Sequence, residues 1–298
     1  MLHHFYDNMH PKGQGAISAE EFEELLDYLQ SEFKLIGAEE WLSKSRNSLL
    51  NQEICLTFDD GLLCQFEIAL PILEKRGLTA FWFVYSSVLE GNIESLEKYR
   101  HFRTTKFKSV NEFYETFFRK VSIIPDINKA VDVALSTFDV KEYLKPFPFY
   151  SDSDKIFRYL RDQVLKTEQY DRVMNELIND FQYRISSEEL WLNKSQVSEL
   201  SSKGHIIGLH SHTHPTRLAS MSEEDQWVEY KKNKETLEEI TNKKVFSMSH
   251  PCNSYSLITL NVLKKLGIEV GFCSNMENIE RVGLEYPRED HMNIMAEI

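Results

Sequence analysis

The sequence lacks most features that would set it apart from ordinary globular proteins. Nowhere in its 298 residues do eighteen apolar residues run together, so no segment reads as a membrane-spanning helix. The opening MLHHFYDNMH has no basic stretch leading into an apolar core, and a cytoplasmic protein is expected. Glycine and proline are sparse, at 11 and 8, and there is no internal repeat or low-complexity tract, which argues against a repetitive or disordered chain. The four cysteines, Cys55, Cys64, Cys252 and Cys273, show no CxxC spacing and fall in or beside apolar segments. They read as buried reduced thiols without a chemical role. Positive charge is scarce too: 34 Lys and Arg against 47 Asp and Glu leave a net charge of -13, which disfavours nucleic acid and anionic membranes as partners.

What is present is a chain long enough to bury a full core, with 42% hydrophobic and 27% charged residues. One domain over residues 1–298, carrying an insertion, is expected. SAEEFEELLDYL supplies a capping box, Ser18 with Glu21, and puts Phe22, Leu25, Leu26 and Leu29 at helical spacing. FKLIGA reads as a short strand. EICLTF, residues 53–58, reads as a strand apolar on both faces, as a parallel strand covered by helices must be. The alternation repeats with helix QFEIALPILEKRG, ending at Gly77, and strand LTAFWFVY. Later come helix KSQVSELSSKG, strand HIIGLHS, helix SEEDQWVEYKKNKETLEEIT, strand KVFSMS, helix SLITLNVLKKLG and strand IEVGFCS. This pattern implies an α/β fold around a parallel sheet, open or closed into a barrel, with its chemistry at the carboxyl ends of the strands. Over residues 89–190 the alternation lapses. Ile127, Val131, Ala134, Leu135 and Phe138, then Ile156, Leu160 and Val164, predict a helical insertion in one strand-to-helix loop. LKPFPFYSDSD, with two prolines, divides it into two helical parts.

Three strand ends carry polar clusters. LTFDDG puts Asp59 and Asp60 past one strand, GLHSHTHP puts His210, His212 and His214 past another, and SMSHPCNSY puts His250 and Pro251 past a third. In a parallel sheet these tips share one rim. Adjacent carboxylates repel when no cation is near. A divalent metal would supply the missing charge, and neutral imidazole is its commonest nitrogen ligand. An extended segment would send all three histidines to one side, whereas a helical turn joins His210 to His214 and turns His212 away. Ser211, Thr213 and Pro215 punctuate the segment as a turn, so His210 and His214 are the ligand candidates. The bland readings are an exposed polar loop for the histidines and an ordinary Asp-Gly turn at Asp60.

TFDDG, HSHTHP and HPCNSYS, in that order and each after a strand, resemble the first three motifs of the polysaccharide deacetylases, the NodB-homology carbohydrate esterases of family 4. The similarity covers roughly residues 50–88 and 193–290. The opening HHFYDNMHPKGQGAIS resembles that of family members found with bacterial surface-glycan biosynthesis genes. This resemblance implies an irregular (β/α) barrel of the NodB type, with the helical insertion at 89–190 outside the similarity. It also implies a metal-dependent hydrolase that removes an N-acetyl, or else an O-acetyl, group from a sugar or glycan precursor. Asp60, His210 and His214 would bind the metal, zinc first, with cobalt, nickel, manganese or iron as alternatives. Asp59 would be the catalytic base, and a backbone N–H of Cys252 or Asn253 would face the oxyanion.

Two departures from the family pattern matter. Ser249 stands where many members have an arginine that pairs with the base aspartate; Arg288, in EYPREDH, is the substitute candidate, against a surface ion pair with Glu285 or Glu289. The late histidine that the family uses as general acid, in a Leu-x-His motif, has no counterpart as such toward the end of this sequence. His291 is the first choice for that role, His250 the second and His4 the third, each against a purely structural part. The expected partner is an acetylated sugar or glycan precursor, with no nucleic acid and no membrane insertion. Rival functions keep the fold: hydrolysis of another non-peptide C–N bond, as in a cyclic imide or ureide, or a glycan-binding homologue without turnover.

Overall fold

The structure, a computed structural model, describes residues 1–45, 48–144, 150–276 and 283–298. It divides into two compact units, one made of Met1–Glu94 with Ser186–Ile298 and the other of Ser95–Ile185.

The first unit holds the sheets. β1 (Lys34–Leu35) and β2 (Glu53–Ile54) form a short parallel ladder. β3 (Thr57–Phe58), β4 (Phe81–Val84), β5 (Ile206–Leu209), β6 (Ser247–Ser249) and β7 (Val270–Phe272) form a five-stranded parallel sheet in sequence order. Residues 53–58, expected as one strand, are thus split between two sheets. The chain stays extended but changes partner: Ile54 O accepts from Ile36 N at 2.9 Å, while Leu56 O accepts from Phe81 N at 3.0 Å. β4 is fully buried along its length, as a strand covered on both faces should be. At Gly208 in β5 a Cβ would lie 2.5 Å from the Phe83 ring and 2.7 Å from Ser247 Oγ, so only glycine lets these neighbours approach.

Helix Ala19–Glu32 starts on the capping box of Ser18 and Glu21 and buries Phe22, Leu25, Leu26 and Leu29. The expected helix after β3 begins instead with a wide turn, Gln65–Ala69, before the regular helix Leu70–Arg76. Pro71 has no N–H to donate, and Leu70 N bonds to Gln65 O five residues back. Gly77 ends this helix at φ 64°.

Both edges of the sheet are extended by the chain's outer segments. Leu2 bridges Phe58 beside β3, and Tyr286 bridges Phe272 beside β7, both parallel. These two segments then meet, through Met1 N to Glu289 O at 2.7 Å and His291 N to Met1 O at 3.1 Å. In a flat sheet β3 and β7 would stand about 19 Å apart, four strand spacings. The ring closure brings them together, and the fold is the irregular α/β barrel expected from the sequence.

The second unit is helical: Ser95–Lys106, Val110–Ser122, Pro125–Leu135, Asp152–Tyr159 and Thr167–Asp180, with a wide turn at Leu160–Val164. Its core mixes aliphatic with aromatic side chains, and among the latter Phe113, Tyr114, Phe117 and Phe157 pack edge-on and tilted at centroid distances of 5.0 to 6.0 Å. Of the stretch expected to divide the insertion, residues 145–149 lie outside the described residues. No helix among the described residues is long and apolar enough to cross a membrane.

Candidate metal centre and active site

The loops after β3, β5 and β6 bring their side chains to one place. Asp60 sits in the left-handed region, φ 76°, followed by Gly61 at φ 60°, a strained turn of the kind found at functional sites. Its Oδ1 lies 3.2 Å from His210 Nε2 and 3.4 Å from His214 Nε2. The three ligand atoms fall within 4.8 Å of one another, a group that could hold a metal ion. His210 and His214 rings stand 4.9 Å apart, brought together by a turn in which Ser211 and His214 both have positive φ. His212 points elsewhere, with Nδ1 2.9 Å from Ser86 Oγ.

The protonation pattern fits a cation. His210 Nδ1 lies 2.9 Å from Ser249 O, and its Nε2 faces Asp60 Oδ1 at 3.2 Å; burial lowers His210, but the carboxylates of Asp60 and Asp59 outweigh it and hold the ring above its usual value. The Nε2 proton drawn in this way is the positive charge that a bound cation would replace. Burial pushes His214 down to about 4, so its imidazole is neutral near pH 7, as a ligand must be. Burial works against ionised Asp60 as well, yet His210 and His214 outweigh it and hold the carboxyl well below its usual range.

The histidine loop is held from the helix Glu223–Thr241. Asn233 Oδ1 accepts from His210 N at 2.9 Å, and its Nδ2 donates to Val84 O at 2.9 Å. One turn earlier, Glu229 accepts from His212 N at 2.9 Å, Thr213 N at 2.8 Å and Thr213 Oγ1 at 2.8 Å. Residues four apart on a helix share a face, so one stripe fixes both ends of the loop. From the other side Tyr85 stacks on His214 at 4.9 Å.

Asp59 is buried and paired. Arg288 Nη1 and Nη2 meet its two oxygens at 2.7 and 2.8 Å, and the guanidinium also donates to Ser249 Oγ at 2.7 Å, Thr57 Oγ1 at 3.1 Å and Cys273 O at 2.7 Å. Ser249 Oγ in turn donates to Asp59 Oδ2 at 3.1 Å. Burial alone would raise the Asp59 carboxyl; the Arg288 charge outweighs it and holds the group well below the usual range. Arg288 is therefore not in a surface ion pair with Glu285 or Glu289.

The late histidines lie differently from expectation. His291 has Nδ1 3.2 Å from Met1 O and Nε2 3.0 Å from Gly15 O, so both ring nitrogens face backbone carbonyls and neither is open to a leaving group. His250 is buried, stacked on Tyr255 at 4.0 Å, with Nε2 2.9 Å from Leu284 O. Burial pushes it down to about 4, so it holds no spare proton to donate near pH 7. The histidine beside the carboxylates is His3, with Nε2 3.9 Å from Asp59 Oδ2 and a side chain 27% exposed. Its place follows from the ladder: Leu2 pairs with Phe58, so the next residues in register are His3 and Asp59. Of the two backbone donors expected after β6, Asn253 N–H is spent on His250 O at 3.1 Å. Cys252, at φ 50°, is exposed rather than buried.

An α/β barrel with an Asp-His-His cluster and an arginine-paired aspartate on its rim is similar to known proteins in sequence and in fold. The polysaccharide deacetylase family model matches residues 129–271, a span that includes His210, His214 and His250. Several similar solved structures are deacetylases. The Streptococcus pyogenes deacetylase PplD, solved with acetate, matches at TM-score 0.57 and 15% identity, over 99% of this chain and 95% of that one. IcaB from Ammonifex degensii matches at 0.55 and 16%, over 99% and 95%. A de-N-acetylase from Aggregatibacter actinomycetemcomitans matches at 0.58 and 12%, over 97% and 93%. No curated protein matches the chain. The resemblance to the carbohydrate deacetylases of the NodB type thus extends in sequence over residues 129–271, which take in part of the helical insertion and leave out Asp59, Asp60 and Arg288, and in fold over nearly the whole chain.

Proposed function

We infer that this chain is a metal-dependent hydrolase that removes an acetyl group, N-linked in preference to O-linked, from a sugar or glycan precursor. The observation that carries this reading is the division of labour between adjacent carboxylates: Asp60 faces two imidazole nitrogens, while Asp59 is gripped by Arg288. Asp60, His210 and His214 would hold a divalent cation, zinc first among the first-row metals. When bound, such an ion supplies Lewis-acid polarisation of the acetyl carbonyl and acidifies water.

The chain's own groups account for the proton traffic. Asp59 is ionised at any working pH, and Arg288 fixes its plane, so its oxygens are positioned to take the proton of an attacking water. An amine departs only once protonated, and His3, partly exposed beside Asp59, is placed to donate from Nε2. The buried frame of Ser249, Thr57 and Cys273 O keeps Arg288 from swinging away. Acetate, the product of such a reaction, is bound in one of the similar structures.

The test is release of free acetate from N-acetylated and O-acetylated sugars, with the metal stripped by chelation and then restored. Release that stops on chelation and returns with the ion is expected, faster on the N-acetyl substrates. Turnover indifferent to chelation would rule this reading out.

A further inference from the structure

The helical unit differs in charge from the rest of the chain. Residues 95–185 hold 16 Lys and Arg against 14 Asp and Glu, and the remaining residues hold 18 against 33. Several of its cations are neutralised locally. Arg161 grips Asp162 with Nε and Nη2 at 2.6 and 2.9 Å, Arg172 faces Glu176 at 3.2 Å, and Lys120 reaches Asp180 at 2.6 Å.

Arg100, Arg103 and Arg158 depart from that pattern. Arg100 and Arg103 lie one turn apart on helix Ser95–Lys106, and Arg158 projects from helix Asp152–Tyr159. Arg100 Nη1 is 3.3 Å from Glu97, but its Nη2 is buried with no hydrogen-bond partner among the described residues. Arg158 lies over the Tyr150 ring at 4.1 Å, and its Nε is likewise buried without such a partner. Arg103 lies over the Phe113 ring at 6.0 Å. Burial, and behind it the charges of Arg100 and Arg158, hold Arg103 below its usual range, against the opposing pull of Tyr114 and Tyr170. The carboxylate of Asp154, on the same helix as Arg158, is engaged by Tyr114 Oη, Ser151 N and Ser151 Oγ.

Guanidinium groups do not shed their protons at working pH, and a buried N–H without an acceptor is costly. Arg100 and Arg158 each keep a buried donor without an acceptor among the described residues, and Arg103 lies close enough to feel both charges, so the three together call for an anion. Forked, planar donors above aromatic rings suit the several oxygens of a tetrahedral oxyanion better than a single carboxylate. We propose that Arg100, Arg103 and Arg158 form a binding site for a phosphate group, either free phosphate or the diphosphate of a carrier-linked sugar. The site stands whether or not the acetyl-removing activity does, because every residue in it belongs to the helical unit.

The test is calorimetric titration of the full chain with inorganic phosphate and, in a second arm, with a nucleoside-diphosphate sugar. Saturable binding is expected, weakened about tenfold or more by Arg103→Gln and by Arg158→Gln. Arg172→Gln, whose cation is already paired, should leave it unchanged. Tighter binding of the sugar diphosphate assigns the site to a substrate carrier, and equal or weaker binding assigns it to free phosphate. Without phosphate, Arg103→Gln and Arg158→Gln should melt no lower than the parent, because each removes one of three mutually repelling charges. No saturable binding by the parent chain, binding untouched by either variant, or a large fall in the melting temperature of the phosphate-free variants would each overturn the proposal. None of these readings involves deacetylation, so a failure here is distinct from failure of the hydrolase reading.

Discussion

The sheet unit and the helical unit solve different problems with the same twenty side chains. In the sheet unit the buried charges lie far apart in sequence and meet only because a ring closes: Asp59 with Arg288, and Asp60 with His210 and His214. In the helical unit the hydrophobic core mixes aromatic with aliphatic side chains and is built within ninety-one consecutive residues, Ser95–Ile185. Fixing charged groups to within a few tenths of an ångström demands partners on several strands, each with its own hydrogen bonds. Packing rings demands only volume and edge-to-face contact, which neighbouring helices supply. The chemistry proposed for this chain accordingly sits where order is most expensive to arrange.

The sharpest way to break the comparison is to remove charge from the sheet unit without changing shape. Asp59→Asn should lower acetate release by on the order of 10²–10⁴ while leaving metal content intact, since Asp59 lies outside the Asp-His-His group. Parallel assays of acetate and of bound metal check it; a variant that keeps most of its turnover removes Asp59 from the proposed role. Next in size is Arg288→Met. It leaves the Asp59 carboxylate buried without its partner and should cost about 3–5 kcal/mol of folding stability. Phe157→Ala, in the helical core, should cost a similar amount, about 3–5 kcal/mol, by leaving a cavity. Urea titration measures both totals, and hydrogen exchange separates them. Protection should fall first among residues 95–185 for Phe157→Ala, and around β3 and β7 for Arg288→Met.

How much of this was legible in the sequence follows the same division. The alternation of buried strands with capped helices gave away the fold class, because hydrophobic period and cap chemistry are local. The split of residues 53–58 between two ladders leaves no mark, since an extended apolar chain looks alike whichever partner it takes. That Asp60, His210 and His214 lie together could be argued from strand ends alone. Arg288 could not be settled that way: its choice between Asp59 and the neighbouring glutamates depends on the closure of the ring. His3 does not stand out in the sequence beside His291, His250 and His4, because nothing local says that residues 2 and 3 add an edge to the sheet in register with β3. His291 and His250, attractive as late histidines, meet backbone carbonyls instead, an outcome no spacing rule encodes. Glu229 and Asn233 sit on a helix rich in charge, where a solvated face is the natural reading, yet both are buried.

Glu229 also offers the finest test of the contrast between the units, because it holds the site without touching the proposed ligands' side chains. Its carboxylate accepts three hydrogen bonds from His212 and Thr213, the residues between His210 and His214. Glu229→Leu keeps most of the side-chain volume but removes both acceptor oxygens, so the backbone N–H groups of His212 and Thr213 lose their partner and the loop must shift. Support of this kind around a metal site is typically worth 10–100-fold in affinity, and a loss of roughly that size is expected here. Competition with a chromophoric chelator measures it directly, with circular dichroism showing that the fold persists. Affinity unchanged in a folded variant would mean that the turn at residues 210–214 keeps its shape by its own backbone preferences. The left-handed Ser211 and His214 would then be doing alone what the helix is here held to enforce.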